Sequence, residues 1–128
     1  MTGILLVSHS KQLAQGLEKL LRSLSGEDVF VESVGGVGSL GVDATMVMEG
    51  LNQLTDMGST EILVFGDLGS AILSAENAKD LMPVSARVHV VDAPFVEGAV
   101  AAAMSLSTGG GAEEAMAAAE EAYQIRKR

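Results

Sequence analysis

The sequence predicts an α/β fold, with a central parallel sheet of four strands in the order 2-1-3-4 and about five helices on its two faces, a three-layer α/β/α arrangement. Three observations predict it. Short runs of mostly β-branched residues alternate with longer segments of helical spacing. The runs are apolar almost throughout, as strands covered on both faces are. No linker is long enough to divide the 128 residues, so a single domain over 1–128 is expected.

The expected strands are GILLVS (3–8), DVFVESV (28–34), EILVFG (61–66) and RVHVVD (87–92). Between the first two, KQLAQGLEKLLRSL places Leu13, Leu17, Leu20, Leu21 and Leu24 on one helical face and supplies the first crossover. The second helix is expected from Val42 to Met57, with Val47, Leu51 and Leu54 inward and Gly58 as its stop. The third runs from Ser70 to Leu81, before Pro83. FVEGAVAAAMSLS reads as a fourth and AEEAMAAAEEAYQIRKR as a fifth, separated by TGGG at 108–111. In the last, acidic residues come early and Arg126, Lys127 and Arg128 late, in the sense its dipole favours.

Composition narrows the chemistry. The chain has no Cys, which removes disulfides, thiolate metal sites and thiol catalysis together. A net charge of -9 disfavours nucleic acid and anionic membranes, and three Phe, one Tyr and no Trp leave little for stacking bases. The opening GILLV is too short for a signal peptide or a membrane span, so a cytoplasmic protein is expected. Two His, no Cys and scattered carboxylates spell no metal set, and neither a Walker loop nor a G-x-S-x-G elbow is present. No cofactor or metal is expected.

In an open parallel sheet, ligands gather outside the carboxyl ends of the strands. Those positions are SHS (8–10), GGVGSLG (35–41), GDLGS (66–70) and DAP (92–94). His9 follows the first strand and precedes a helix. An imidazole there is a nucleophile near neutral pH, and an anion attached to it would lie beside free helix amides and the positive end of the dipole. The plain alternative is a loop or capping His. Asp67 holds the matching place after the third strand, which the order 2-1-3-4 puts next to the first, so it can fix the tautomer of His9. Its alternatives are a helix cap, or a phosphate acceptor of the receiver kind. The latter needs an acidic pair after the first strand, where Ser8, His9 and Ser10 stand.

Ser10, Gly69 and Ser70 lie at the starts of helices and are candidate phosphate-binding residues, with N-capping as the plain role of Ser70. His89 alternates with valines and reads as a sheet His. Gly36, Gly38 and Gly41 spell G-x-G-x-x-G, but after the second strand. The acidic residue at the customary spacing, Glu61, begins the third strand, at the wrong end of the sheet for a dinucleotide. Gly36, Gly38 and Ser39 are therefore read as one wall of a phosphate site beside His9, or else as a surface loop.

A strand ending in VSHS before an amphipathic helix, a glycine-rich turn after the second strand, VFGDLGSA after the third and VVDAPFVEGAVAAA after the fourth arrive in one order over nearly the whole chain. In this the sequence resembles the mannose-type IIA domains of the bacterial phosphotransferase system. It is similar in particular to the branch that donates phosphoryl groups to a phosphoenolpyruvate-dependent dihydroxyacetone kinase. The resemblance implies a phosphotransferase in which His9 takes a phosphoryl group from the phosphocarrier protein HPr, itself charged by enzyme I. Asp67 matches the family's carboxylate partner of the active-site His. The group would then pass to ADP bound on the kinase's L subunit, and from there to dihydroxyacetone on the K subunit. The resemblance also implies a homodimer, and the HPr-like and enzyme-I-like domains that follow in some relatives are expected on separate proteins. Because the tail reads as helix throughout, a dimer held by helices is expected rather than one with a swapped strand. The other readings are a IIA component of a mannose-type sugar transporter, a small nucleotide-binding domain and a receiver-like regulatory domain.

Overall fold

β1 (Thr2–Ser8), β2 (Phe30–Gly35), β3 (Glu61–Gly66) and β4 (Arg87–Val90) pair in parallel in the order β2-β1-β3-β4. The computed structural model describes residues 1–36, 42–81 and 85–128, and the expectations placed on Gly38, Ser39, Gly41 and Pro83 fall outside them. Parallel neighbours need crossovers, which are supplied by α1 (Lys11–Ser25), α2 (Ala44–Asp56) and α3 (Gly69–Leu81); α4 (Phe95–Ser107) and α5 (Ala112–Glu121) follow the last strand.

Successive strand side chains point to opposite faces, and the central strands are apolar on both. Ile4, Leu6, Leu63 and Phe65 pack under α1, α4 and α5 with Leu17, Leu21, Ala99, Ala103 and Ala115. Leu5, Val7, Ile62 and Val64 pack under α2 and α3 with Val47, Leu51, Leu54, Ala71 and Ala75. The result is the three-layer α/β/α sandwich, with the α2 leucines inward as their spacing requires. Among the described residues no helix is long and apolar enough to cross a membrane.

Several expectations need correction. Burial on both faces holds for β1 and β3, whereas β2 and β4 are the sheet's edges and only partly covered. β2 begins at Phe30 rather than residue 28, because Gly26, at φ 75°, ends α1 and opens a 3₁₀ turn over Gly26–Asp28. β4 ends at Val90, where its pairing with β3 stops at Val64↔Val90 although β3 continues to Gly66, and the chain turns through Pro94 into α4.

On α1 the buried face is Ala14, Leu17, Leu21 and Ser25, and Leu13, Leu20 and Leu24 are exposed along its flank. The five leucines thus form two rows, only one of which faces the core. Nor is the tail helical to its end. α5 stops at Glu121, a 3₁₀ turn covers Ala122–Gln124, and Arg126, Lys127 and Arg128 lie beyond any helix. Instead of completing a dipole, Lys127 pairs with Glu97 in the first turn of α4 at 2.8 Å, and the Tyr123 hydroxyl donates to Asp92 at 2.8 Å.

At the β2 edge, α1 reaches over the strand with polar side chains. Arg22 donates to the Val31 carbonyl and pairs with Glu18 at 3.0 Å, and Glu18 accepts from the Ser33 hydroxyl at 2.7 Å.

Candidate active site

The three strands that frame the site end together. Ser8 lies opposite Gly35 across β1 and β2, and Val7 opposite Gly66 across β1 and β3, so residues 8–10, 36 and 67–70 meet at the carboxyl edge of the sheet. Two helices start there. The Ser10 hydroxyl caps α1 by accepting from the Leu13 amide at 3.3 Å, and α3 begins at Gly69. Each helix start presents amides that lack intrahelical acceptors and the positive end of a dipole.

Close approach makes this convergence possible. A Cβ on Gly35 would lie 2.6 Å from Lys11 Cα and 2.8 Å from Lys11 N, so only glycine lets the end of β2 pass beneath the first turn of α1. The next residue then takes up that turn, as the Lys11 amide donates to the Gly36 carbonyl at 3.2 Å. Gly66 plays the same part under α3, where a Cβ would lie 2.9 Å from Ile72 Cδ1 and 3.2 Å from Ile72 N.

His9 and Asp67 are in direct contact. Asp67 Oδ1 meets His9 Nδ1 at 3.0 Å, and Oδ2 accepts from the His9 amide at 3.0 Å and from the Ser8 hydroxyl at 2.9 Å. An ionised carboxylate only accepts, so the network assigns the imidazole proton to Nδ1. The lone pair is then on Nε2, where the Ser70 hydroxyl donates to it at 2.6 Å. The imidazole keeps 22% of its side-chain surface exposed and the carboxylate 11%, so the ring is within reach of solvent and the acid is more sheltered.

Burial alone raises the pKa of Asp67. The hydrogen bonds from the His9 side chain and amide and from the Ser8 hydroxyl, with the charge of His9, overcome that and hold the carboxyl below the ordinary aspartate range. A folded pKa below the unfolded one means that the ionised group stabilises the fold above its unfolded value. That contribution is lost as pH falls through the lower folded value. Urea denaturation in acid is expected to show the stability gap between wild type and Asp67→Asn closing through this window. A gap indifferent to acid would contradict the lowered value.

The other expected residues sort by what they touch. Ser70 is against His9 Nε2. Gly69 stands in open space at the first turn of α3. The Ser10 amide is taken by Ser8 Oγ at 3.0 Å and its hydroxyl caps α1 by accepting from Leu13. Gly36 is at the α1 start through its carbonyl. His89 pairs with Glu61 at 3.0 Å, and Glu61 opens β3, at the end of the sheet away from His9. Among the described residues no group of three or more His, Asp and Glu is placed to hold a metal ion.

Two residues escaped the sequence reading. Ser8 is wholly buried and its hydroxyl joins Asp67 to the start of α1; the available signal was a hydroxyl closing an otherwise apolar strand. Gly35 was read only as part of a glycine-rich turn, and its signal was its place at the last residue of a strand before a tight crossover.

The model of the EIIA-man family, described as the PTS system fructose IIA component, matches residues 3–116. The chain belongs to the EIIA-man family. Relatives of this EIIA-man chain include the phosphoryl donor subunit DhaM of a PEP-dependent dihydroxyacetone kinase from Listeria innocua, 40% identical over 81% of this chain and 85% of the relative. The DhaM subunits of Providencia stuartii and Escherichia coli are 37% and 32% identical over 99% of this chain, which spans 28% of the length of each. The crystal structure of a protein of unknown function, EF1359, superposes with a TM-score of 0.83 at 36% identity, over 94% of this chain and 93% of that one.

Proposed function

We propose that this EIIA-man chain is a phosphohistidine carrier in which His9 Nε2 accepts a phosphoryl group from phospho-HPr and passes it to ADP on the L subunit of a dihydroxyacetone kinase. The observation that carries the reading is the pairing of His9 Nδ1 with Asp67 at 3.0 Å, which leaves Nε2 as the nucleophile at the start of two helices. The names of its DhaM relatives, phosphoryl donor subunits of PEP-dependent dihydroxyacetone kinases, support such a kinase as the destination of the group.

The chemistry balances without outside help. The Nε2 lone pair attacks phosphorus while the bond to the HPr imidazole breaks and its electron pair returns to that nitrogen. Nδ1 keeps its proton, and the positive charge now on the ring faces the Asp67 carboxylate. In the second step a β-phosphate oxygen of ADP attacks, the P–Nε2 bond breaks, and neutral imidazole leaves. Phosphoryl transfer asks mainly for alignment and for donors to the equatorial oxygens. The Ser70 hydroxyl turns from Nε2 to the phosphoryl group, and the Gly69 and Ser70 amides add donors beside it. Leu68 and Leu73, exposed next to Asp67 and one turn beyond Ser70, offer partner proteins an apolar footing of the modest kind a relay needs.

With enzyme I, HPr and labelled phosphoenolpyruvate, the protein is expected to carry label that is lost in acid, survives alkali and maps to the peptide containing His9. Alkali-labile label would point to Asp67 as a receiver-type acceptor instead. With an ADP-loaded dihydroxyacetone kinase complex the label is expected in dihydroxyacetone phosphate, and its failure to appear there would move the assignment to sugar transport.

A homodimer belongs to the same proposal. Leu13, Leu20 and Leu24 form an exposed apolar row on α1, and Val96 and Met104 are exposed on α4, which packs beside it. Leu20→Glu is expected to give a monomer by sedimentation velocity. A dimer that persists would place the interface elsewhere.

A further inference from the structure

We infer that Ser8 is a positioning residue for the nucleophile: its buried hydroxyl ties the Asp67 carboxylate to the start of α1 and so keeps the proton on His9 Nδ1. The inference deepens the carrier reading and rests on it for its catalytic meaning.

The direction of this hydrogen-bond chain is determined. Ser8 Oγ accepts from the Ser10 amide at 3.0 Å and is 2.9 Å from Asp67 Oδ2, which has no hydrogen to give. The single hydroxyl proton of Ser8 therefore points at the carboxylate. The chain runs from the Ser10 amide to Ser8 and on to Asp67, and it begins at the positive end of α1, which polarises the hydroxyl toward donation.

Among the described residues, two of the three donors to the Asp67 carboxylate, the Nδ1 proton and the backbone amide, belong to His9 itself. Of these donors, Ser8 alone is independent of the residue the acid has to orient. Ser8 anchors it to the frame instead, because Ser8 is the fully buried last residue of central strand β1.

The hydroxyl also bears on how readily the phosphoryl group leaves. A carboxylate with three donors is a weak base and leaves the proton on Nδ1, so the leaving group is neutral imidazole. A carboxylate that has lost one donor draws that proton toward itself, and the leaving group then approaches imidazolate, which is far poorer. Ser8 is thus expected to act on the release of the group as well as on its uptake.

The test uses Ser8→Ala, Ser8→Cys, which keeps the size but donates weakly, and Ser8→Thr, which keeps the hydroxyl. In the unphosphorylated proteins, the Asp67 carboxyl carbon is followed by NMR through an acid titration, and the His9 ring nitrogens are read for their tautomer. The Ala and Cys variants are expected to titrate Asp67 at higher pH than wild type, and to exchange phosphoryl groups with HPr on the order of tenfold more slowly. Thr is expected to restore both. Folded Ala and Cys variants with wild-type Asp67 titration and His9 tautomer would overturn the inference. If neither folds, the Thr variant decides, with a wild-type titration supporting the role and a raised one overturning it. The NMR readouts need no phosphoryl donor. A wild-type protein that refuses label from HPr would therefore sink the carrier reading and leave the Ser8 result standing.

Discussion

Asp67→Asn is expected to slow phosphorylation of His9 by phospho-HPr about 100- to 10,000-fold while the fold persists, with His9→Ala, which takes up no label, as the zero. The reason lies in the unequal duties of the two carboxylate oxygens. Among the described residues, Oδ2 accepts two hydrogens, from the His9 amide and the Ser8 hydroxyl, whereas Oδ1 meets only Nδ1. An asparagine satisfies more partners with its oxygen at the Oδ2 position, and its NH₂ group then faces Nδ1. An NH₂ donor there demands a lone pair on Nδ1 and drives the imidazole proton to Nε2, the atom that must attack. The substitution thus inverts the tautomer instead of merely weakening a contact. Rapid-quench kinetics measure the rate and long-range ¹H–¹⁵N correlation spectra the tautomer. An unchanged rate with an inverted tautomer would remove Nε2 from the mechanism.

Gly35→Ala carries the second large effect, with an expected cost of about 1–3 kcal/mol in stability and a slower His9. The new methyl would sit 2.6 Å from Lys11 Cα and 2.8 Å from Lys11 N, and both are backbone atoms that no rotamer change can clear. Relief has to come from moving the first turn of α1 away from the sheet. The N-cap of that turn is Ser10, whose amide donates to Ser8 and which directly follows His9, so the displacement reaches the site through the adjoining chain. Urea titration should show a lower midpoint at an unchanged slope, and the HPr reaction should be slower than the stability loss alone accounts for. A variant as stable as wild type would mean that α1 is not seated on Gly35 as tightly as the distances state.

What could be read in advance follows the physics of each signal. Strand and helix alternation is a periodicity, and β1, β3 and the crossovers were legible because apolar runs and helical spacing survive any detail of packing. Once the order 2-1-3-4 is granted, His9 and Asp67 become neighbours by topology alone. Ser8 was illegible, because nothing in a serine at a strand end says whether its hydroxyl meets water, a cap or a carboxylate. The exposed row of Leu13, Leu20 and Leu24 was misplaced because a helical pattern shows that leucines share a side, and only the sheet beneath shows where burial ends. The tail failed similarly, since Ala and Glu favour helix through residue 121 while Tyr123 and Lys127 are claimed by Asp92 and Glu97, partners far off in sequence.

The side chains laid over β2 bear on how the molecule behaves in a crowd. An edge strand with open carbonyls recruits strands from strangers, and a domain with an adhesive outer rim is prone to associate along it. Arg22 takes the Val31 carbonyl while Glu18 occupies the Ser33 hydroxyl. A foreign strand has to evict a salt-bridged guanidinium before it can bond to the Val31 carbonyl. The guarded rim thereby lowers the risk that a chance encounter along β2 matures into aggregation.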